Sequence, residues 1–256
     1  MRKKIQLSAS IVLYKENINE LSDTVHSFLK TPFTKKLFLI DNTPDKKFQH
    51  VFNQPEIEYI GLGKNIGFGA GHNKVLSKIF NLSNYHLILN PDVTFEKNTI
   101  PNLVFELEKD KSLAMIAPKV LFPNREHQHS CRRYPTMLEL SARRFKLLSW
   151  FNYKVIDNGI YKDKDITKPF FAEYLTGCFQ LYKTKDLVAI KGFDQRYFLY
   201  MEDVDICRKI DLYGKKKLYY PKEEIIHVLK KGSEKSIKLF YRHTLSIFQY
   251  FKKWNK

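Results

Sequence analysis

Cysteine is scarce in this chain, and the three present, Cys131, Cys178 and Cys207, are odd in number, far apart and never arranged C-x-x-C. That excludes a disulfide framework and a zinc ribbon and fits a reduced, cytoplasmic setting. Glycine and proline are few, ten of each in 256 residues, and they build no flexible linker, low-complexity tract or internal repeat. No apolar run approaches the roughly 20 residues of a membrane-spanning helix. The stretch at residues 11–13, after M-R-K-K, is too short for the hydrophobic region of a signal peptide. A soluble or peripheral protein is expected.

Acid is also in deficit, with 27 Asp and Glu against 44 Lys and Arg, for a formal charge of +17. Such an excess is felt at a distance by an anionic partner: nucleic acid, anionic lipid or a phosphorylated substrate. The lysines are spread along the chain, which equally suits solubility. What is plentiful is apolar material, 43% of residues with 14% aromatic. That excludes disorder and allows one large α/β domain, with or without a smaller appendage.

The first half alternates β-rich and helical patterns at residues 6–14, 18–29, 37–40, 57–60, 70–80 and 86–89. This order predicts a mostly parallel, doubly wound sheet, in which ligands bind beyond the carboxyl ends of the strands. Those ends are polar: Asp41-Asn42, then G-L-G-K-N-I-G-F-G-A-G-H-N (61–73), then Asn90-Pro91-Asp92. The rhythm changes near residue 121 to a basic, aromatic region with Arg132, Arg133, Arg143 and Arg144. A strand-like run at 170–182, broken by Thr176-Gly177-Cys178, follows, and residues 236–254 carry apolar residues at helical spacing.

The glycine run lets backbone N–H groups approach a phosphate, with Lys64 as a point charge, or it is simply a tight loop. It matches neither the P-loop nor the dinucleotide fingerprint. Asp92 reaches the crevice as a metal ligand or caps a following helix. Asp41 accepts from a nucleotide base or ribose or belongs to a turn. His227 in I-I-H-V reads unaided as a core histidine, and His127 and His129 as a surface loop rather than a zinc site. Most telling is G-F-D-Q-R-Y-F-L-Y-M-E-D-V-D-I-C-R (192–208), where Glu202, Asp203 and Asp205 follow an aromatic run. Acids this close need a cation, a helix N-terminus or a shared proton.

Taken in order, Asp41-Asn42, N-I-G-F-G-A-G-H-N, N-P-D-V, T-G-C and the 192–208 segment resemble family 2 glycosyltransferases of the GT-A fold, in particular bacterial rhamnosyltransferase-like members. The resemblance spans residues 5–233. It implies a single Rossmann-like domain whose residues 1–120 hold the nucleotide sugar and whose residues 121–256 form a C-terminal acceptor-side region. It places Asp41 and Asn42 at the donor base, and Lys64, Asn65, Gly67 and the loop to Asn73 at ribose and diphosphate. Asp92 stands as the surviving acid of a D-x-D metal motif, with Asn90 at the first position. His227, before Gly232-Ser233, stands as a second contact to Mg2+ or Mn2+, and Lys230 and Lys231 face the diphosphate. Gly177 and Cys178 fall on the substrate side. Asp203 becomes the general base, with Glu202 and Asp205 orienting acceptor and base.

The implied reaction inverts the anomeric carbon in one displacement. It moves a sugar, L-rhamnose from dTDP-L-rhamnose in the narrowest reading, to a saccharide or lipid-linked saccharide acceptor in surface polysaccharide or lipopolysaccharide assembly. A UDP-linked galactofuranosyl, galactosyl or N-acetylhexosaminyl donor is the alternative. A sugar nucleotidyltransferase would show G-x-G-T-R after the first strand, where this chain reads L-S-A-S-I-V-L-Y-K-E-N. A polyanion-binding module rests on charge alone, and no nucleic-acid partner is expected. The basic, aromatic 132–150 region and the C-terminal helix meet an anionic membrane surface, while the core and a homodimer interface remain alternatives for that helix.

Overall fold

The computed structural model describes residues 6–144, 149–229 and 237–254. Strand β1 (Leu7–Leu13) is buried along its whole length, as befits a strand covered on both faces of a parallel sheet. Helix α1 (Ile18–Leu29) opens at Asn17, whose side-chain oxygen accepts from the N–H groups of Asn19 and Glu20. It buries Leu21, Val25 and Phe28, a single face at helical spacing. There follow β2 (Lys35–Asp41), β3 (Ile57–Gly61), α2 (Phe68–His72), α3 (Leu76–Leu82), β4 (Tyr85–Leu89), β5 (Val93–Phe95), α4 (Thr99–Lys109) and β6 (Leu113–Leu121). The remaining elements are β7 (His127–Gln128), β8 (Cys131–Arg132), α5 (Met137–Arg144), α6 (Ser149–Gly159), β9 (Phe170–Phe171), β10 (Tyr174–Leu175), β11 (Phe179–Lys183), α7 (Thr184–Ala189), α8 (Glu202–Leu212), β12 (Lys216–His227) and the C-terminal helix (Ile237–Trp254).

One sheet draws strands from both halves, in the order β3-β2-β1-β4-β11-β6-β12-β5. Pairing is parallel from β3 to β4 and between β6 and β12, whereas β11 and β5 run antiparallel to their neighbours. Alternate residues of each strand face opposite cores. Leu37, Leu39, Leu87 and Leu89 join Leu21, Phe28, Leu103 and Leu107 on one face. Phe38, Ile40 and Ile88 join Ile79, Leu187, Ile206 and Ile210 on the other. Helices on both faces make the sheet doubly wound.

Two expected elements are broken. The helix expected over 70–80 is split into α2, a 3₁₀ turn (Asn73–Val75) and α3. Gly69 and Gly71 lie within α2, where a Cβ on them would lie 2.7 Å from Phe193 Cβ and 2.7 Å from Val12 Cγ2 respectively, so only glycine lets this short helix pack so closely. The strand-like run at 170–182 divides into β9, β10 and β11, which pair with β12, β8 and β4 respectively.

Candidate active site

The acid segment is wedged between the glycine loop and the C-terminal helix. Gly67 adopts φ +97°, and a Cβ there would sit 2.3 Å from the Phe198 carbonyl oxygen. Phe68 N–H donates to that same oxygen at 3.1 Å. From the other side, Ser246 Oγ donates to the Leu199 carbonyl at 3.0 Å, and the His243 ring lies 4.6 Å from that of Tyr200. Between these supports, Tyr200 and Met201 both take left-handed φ, 70° and 69°. This conformation costs side-chain-bearing residues on the order of 1–3 kcal/mol each. Here it turns the chain so that Glu202 opens α8.

The glycines of 61–73 thus bring backbone against backbone within the protein. The N–H of Phe68, expected near phosphate, is already used by Phe198.

Two adjoining cavities flank this turn. The larger, about 750 Å3, is lined by Asn42, Asn65, Gly67, Asp92, Tyr14 and Arg242 among others. The other, about 450 Å3, is lined by Glu202, Asp203, Gly177, Cys178, Arg132 and His129 among others. Asn90 and His227 belong to both walls.

At the shared wall, His227 Nε2 lies 3.3 Å from Asp92 Oδ1 and 3.3 Å from Asn90 Nδ2. Gln128 Nε2 donates to the His227 carbonyl at 2.6 Å, which leaves its Oε1 to accept from His227 Nδ1–H at 3.0 Å. That assignment leaves the lone pair of Nε2 to face both Asn90 Nδ2–H, from which it can accept, and Asp92 Oδ1. Asp92 Oδ1 is buried and receives no hydrogen bond among the described residues. Two electron-rich atoms at this separation need a positive species between them. Burial pushes the His227 imidazole down, but Cys178 and Asp92 raise it more, to about 10. A proton satisfies the pair, and a divalent cation would satisfy it equally. Asp92 and His227 therefore fit as metal ligands, with Gln128 holding the imidazole from behind. Among the described residues no third His, Cys, Asp or Glu joins them, so the remaining ligands would be substrate oxygens and water.

In the second cavity Asp203 Oδ2 accepts from Gly177 N–H at 3.1 Å and Oδ1 from Val204 N–H at 2.9 Å. Burial raises its carboxyl, while these N–H groups and Arg132 pull it back. Glu202 Oε2 is buried with no partner among the described residues. Burial and the neighbouring Asp203 push its carboxyl up to about 8. One proton between the two acids therefore rests on Glu202, and Asp203 carries the charge.

Several expected site residues lie elsewhere. Asp41 is fully buried. Its Oδ1 accepts from Thr43 N–H at 2.7 Å and from the Thr43 hydroxyl, and its Oδ2 from Tyr59 O–H at 2.7 Å. Both oxygens are occupied within the fold, so Asn42, not Asp41, faces the cavity. Lys64 lines a separate hollow with Lys74 and Gln195. Asn73 brackets Phe193, donating to its carbonyl at 2.7 Å and accepting from its N–H at 2.9 Å.

Asp205, expected to orient acceptor and base, is fully buried away from both cavities. Its Oδ1 accepts from Lys253 Nζ at 2.7 Å, Trp254 Nε1 at 2.8 Å and Tyr197 O–H at 3.2 Å. It anchors the C-terminal helix, whose inner face packs through Tyr250 against Tyr197, Met201 and Val204. Lys230 and Lys231 lie outside the described residues. Arg132 and His129, expected at a membrane face and in a surface loop, line the second cavity. Gln128 carries no signal in the sequence. Arg242 does, because it shares a helix face with Ser246 and Lys253, polar residues on the side that packs inward.

A parallel β-α-β half, a carboxylate past the end of β4 and an acid-led helix across the cleft are the architecture of GT-A glycosyltransferases. Among solved structures the chain is similar to GalNAc-T7 with UDP, GalNAc and Mn2+ (TM-score 0.68, 16% identity, covering 89% of this chain and 44% of that one). It is also similar to the mannosyltransferase PcManGT from Pyrobaculum calidifontis in complex with GDP-Man and Mn2+ (TM-score 0.63, 13% identity, covering 98% and 64%). Residues 8–188 match Glycosyl transferase family 2, and the chain belongs to that family. Relatives include rhamnosyltransferase WbbL of Escherichia coli K12, 26% identical over 80% of this chain and 79% of its own length. Another is the N-acetylglucosaminyl-diphospho-decaprenol L-rhamnosyltransferase of Mycobacterium tuberculosis, 23% identical over 73% of this chain. The match to the latter spans 62% of its length.

Proposed function

We propose that the protein is an inverting glycosyltransferase that moves a sugar from a nucleotide diphosphate to a hydroxyl of a saccharide or lipid-linked saccharide. The observation that carries this reading is the pair of cavities meeting at Asn90 and His227, with Asp92 in one and Asp203 in the other. The first suits a donor diphosphate and the second an acceptor, so that donor and base approach each other across one wall.

In this mechanism Asp203 takes the proton of the acceptor hydroxyl as the acceptor oxygen bonds to the anomeric carbon. The bond from that carbon to the diphosphate oxygen breaks, and its electron pair leaves with the diphosphate. Gly177 and Val204 hold the Asp203 carboxylate in place. Asp92 and His227 would hold Mg2+ or Mn2+, which when bound offsets the charge of the leaving diphosphate. The names of the two bacterial relatives favour L-rhamnose as the sugar, which in this reading arrives as dTDP-L-rhamnose and serves surface polysaccharide assembly. A UDP-linked hexose is the alternative.

Among the described residues no helix is long and apolar enough to cross a membrane. Ile237, Tyr241, Leu245 and Phe248 are exposed along one face of the C-terminal helix, and this stripe supports peripheral contact where a lipid-linked acceptor resides.

The test is a panel of nucleotide sugars, dTDP-L-rhamnose and UDP-hexoses, with Mg2+ or Mn2+ and a polyprenyl-diphosphate saccharide, followed by NMR of the product's anomeric configuration. Donor-dependent transfer with inversion is expected. Consumption of no donor, or product with retained configuration, would overturn the reading.

A further inference from the structure

The cation that should face the donor diphosphate is not where the glycine loop suggested. Lys64 stands in its own hollow beside Lys74. The first cavity instead receives a guanidinium from the far end of the chain, that of Arg242 on the C-terminal helix. Its Cζ stacks 3.3 Å from the centroid of the Phe198 ring, so the planar fork is held by packing. Among the described residues no carboxylate pairs with it, whereas Lys253 on the same inner side is committed to Asp194 and Asp205. The backbone that carries this ring is fixed in turn, because the Phe198 carbonyl accepts from Phe68 N–H.

We infer that Arg242 is a donor-binding residue that grips the diphosphate of the nucleotide, in the cavity that Asp92 and His227 share with it. This rests on the functional reading above and adds to it a part for the C-terminal helix. A guanidinium offers two parallel N–H donors to phosphate oxygens, which an ammonium does not. The cavity contains the carboxylate of Asp92, so a diphosphate entering it needs positive charge from elsewhere. Arg242 lines the donor cavity and not the acceptor cavity, which assigns it to the leaving group. Asp205 then acts at one remove: through Lys253 and Trp254 it sets the register of the helix that presents Arg242.

The test is calorimetric titration of the full chain with dTDP and UDP in Mg2+, and with thymidine and uridine as controls lacking phosphate. Arg242→Gln is expected to weaken binding of the preferred diphosphate by about 10- to 100-fold, the worth of a charge-assisted bond. Arg242→Lys should fall between, and nucleoside binding should be unchanged. Equal diphosphate binding by wild type and Arg242→Gln overturns this inference alone. Parallel loss of diphosphate and nucleoside also overturns it, as that is the mark of a disturbed helix. Failure of the wild type to bind either diphosphate overturns it together with the functional reading.

Discussion

The two cavities meet at one wall yet solve the same electrostatic problem in opposite ways. Asp92 is buried against an imidazole lone pair with no hydrogen bond to its Oδ1, an arrangement that asks for a cation. Asp203 lies half-buried beside a second acid but receives the N–H groups of Gly177 and Val204, and Glu202 next to it keeps a proton. One carboxylate is prepared to hold positive charge and the other to receive a proton. The sequence alone shows only acids. Partners supplied from far along the chain, His227 held by Gln128 on one side and Gly177 in the turn before β11 on the other, give them different chemistry.

The sharpest way to break this contrast is Asp203→Asn, which keeps shape and removes the proton acceptor. Transfer should fall by about 10²- to 10⁴-fold while nucleoside diphosphate affinity stays unchanged. Steady-state rates paired with equilibrium binding check both halves, and a loss of donor affinity equal to the loss of rate would merge the two cavities into one function.

The third acid belongs to neither cavity, and Asp205→Ala tests that assignment. Removing one partner of a buried ion pair costs about 3–5 kcal/mol. The lower end is expected, because the Lys253 side chain is 22% exposed and can rehydrate. Urea unfolding measures it. A stable variant with impaired transfer would return Asp205 to the acceptor site.

Asp203 and Asp205 are two residues apart on one helix, and nothing in E-D-V-D distinguishes the one facing a cavity from the one facing a helix 48 positions away. The strands with strong apolar runs, β1, β2 and β4, were legible because parallel strands are buried on both faces. β6 was not, since Pro118 reads as a strand breaker. In the fold it sits opposite Tyr220, next to a register shift between Tyr220 and Glu224, where a proline is tolerated. The glycine run was legible as a place of close approach but not as to what approaches. Phe193, Val12 and Phe198 fill the positions that a phosphate could have claimed. Asp92 and His227, 135 positions apart, could be joined only through resemblance until β12 paired with β5 and set His227 opposite Val93.

The metal side is sharpened by Gln128→Leu, which removes the acceptor for His227 Nδ1–H and frees the imidazole to turn. Mn2+ affinity, followed by the electron paramagnetic resonance of the free ion in the presence of nucleoside diphosphate, should weaken by about 10-fold or somewhat more. Unchanged affinity would show that the imidazole is not a ligand.

At Glu202 the expected effect is confined to one pH window, as a shift in stability with pH. Its carboxyl is raised from 4.5 to about 8 in the fold by burial and by Asp203. Between those values the folded chain holds a proton that the unfolded chain has released, so stability falls as pH rises through this window. Glu202→Gln keeps the buried shape and carries no titrating proton. Its melting temperature should match that of the wild type near pH 5 and exceed it above pH 8, with the two curves diverging between. Calorimetric scans across that range, without nucleotide or divalent ion, give the comparison. Parallel curves would mean that Glu202 is ionised at neutral pH, and the proton that keeps Asp203 free to act as base would have to sit elsewhere.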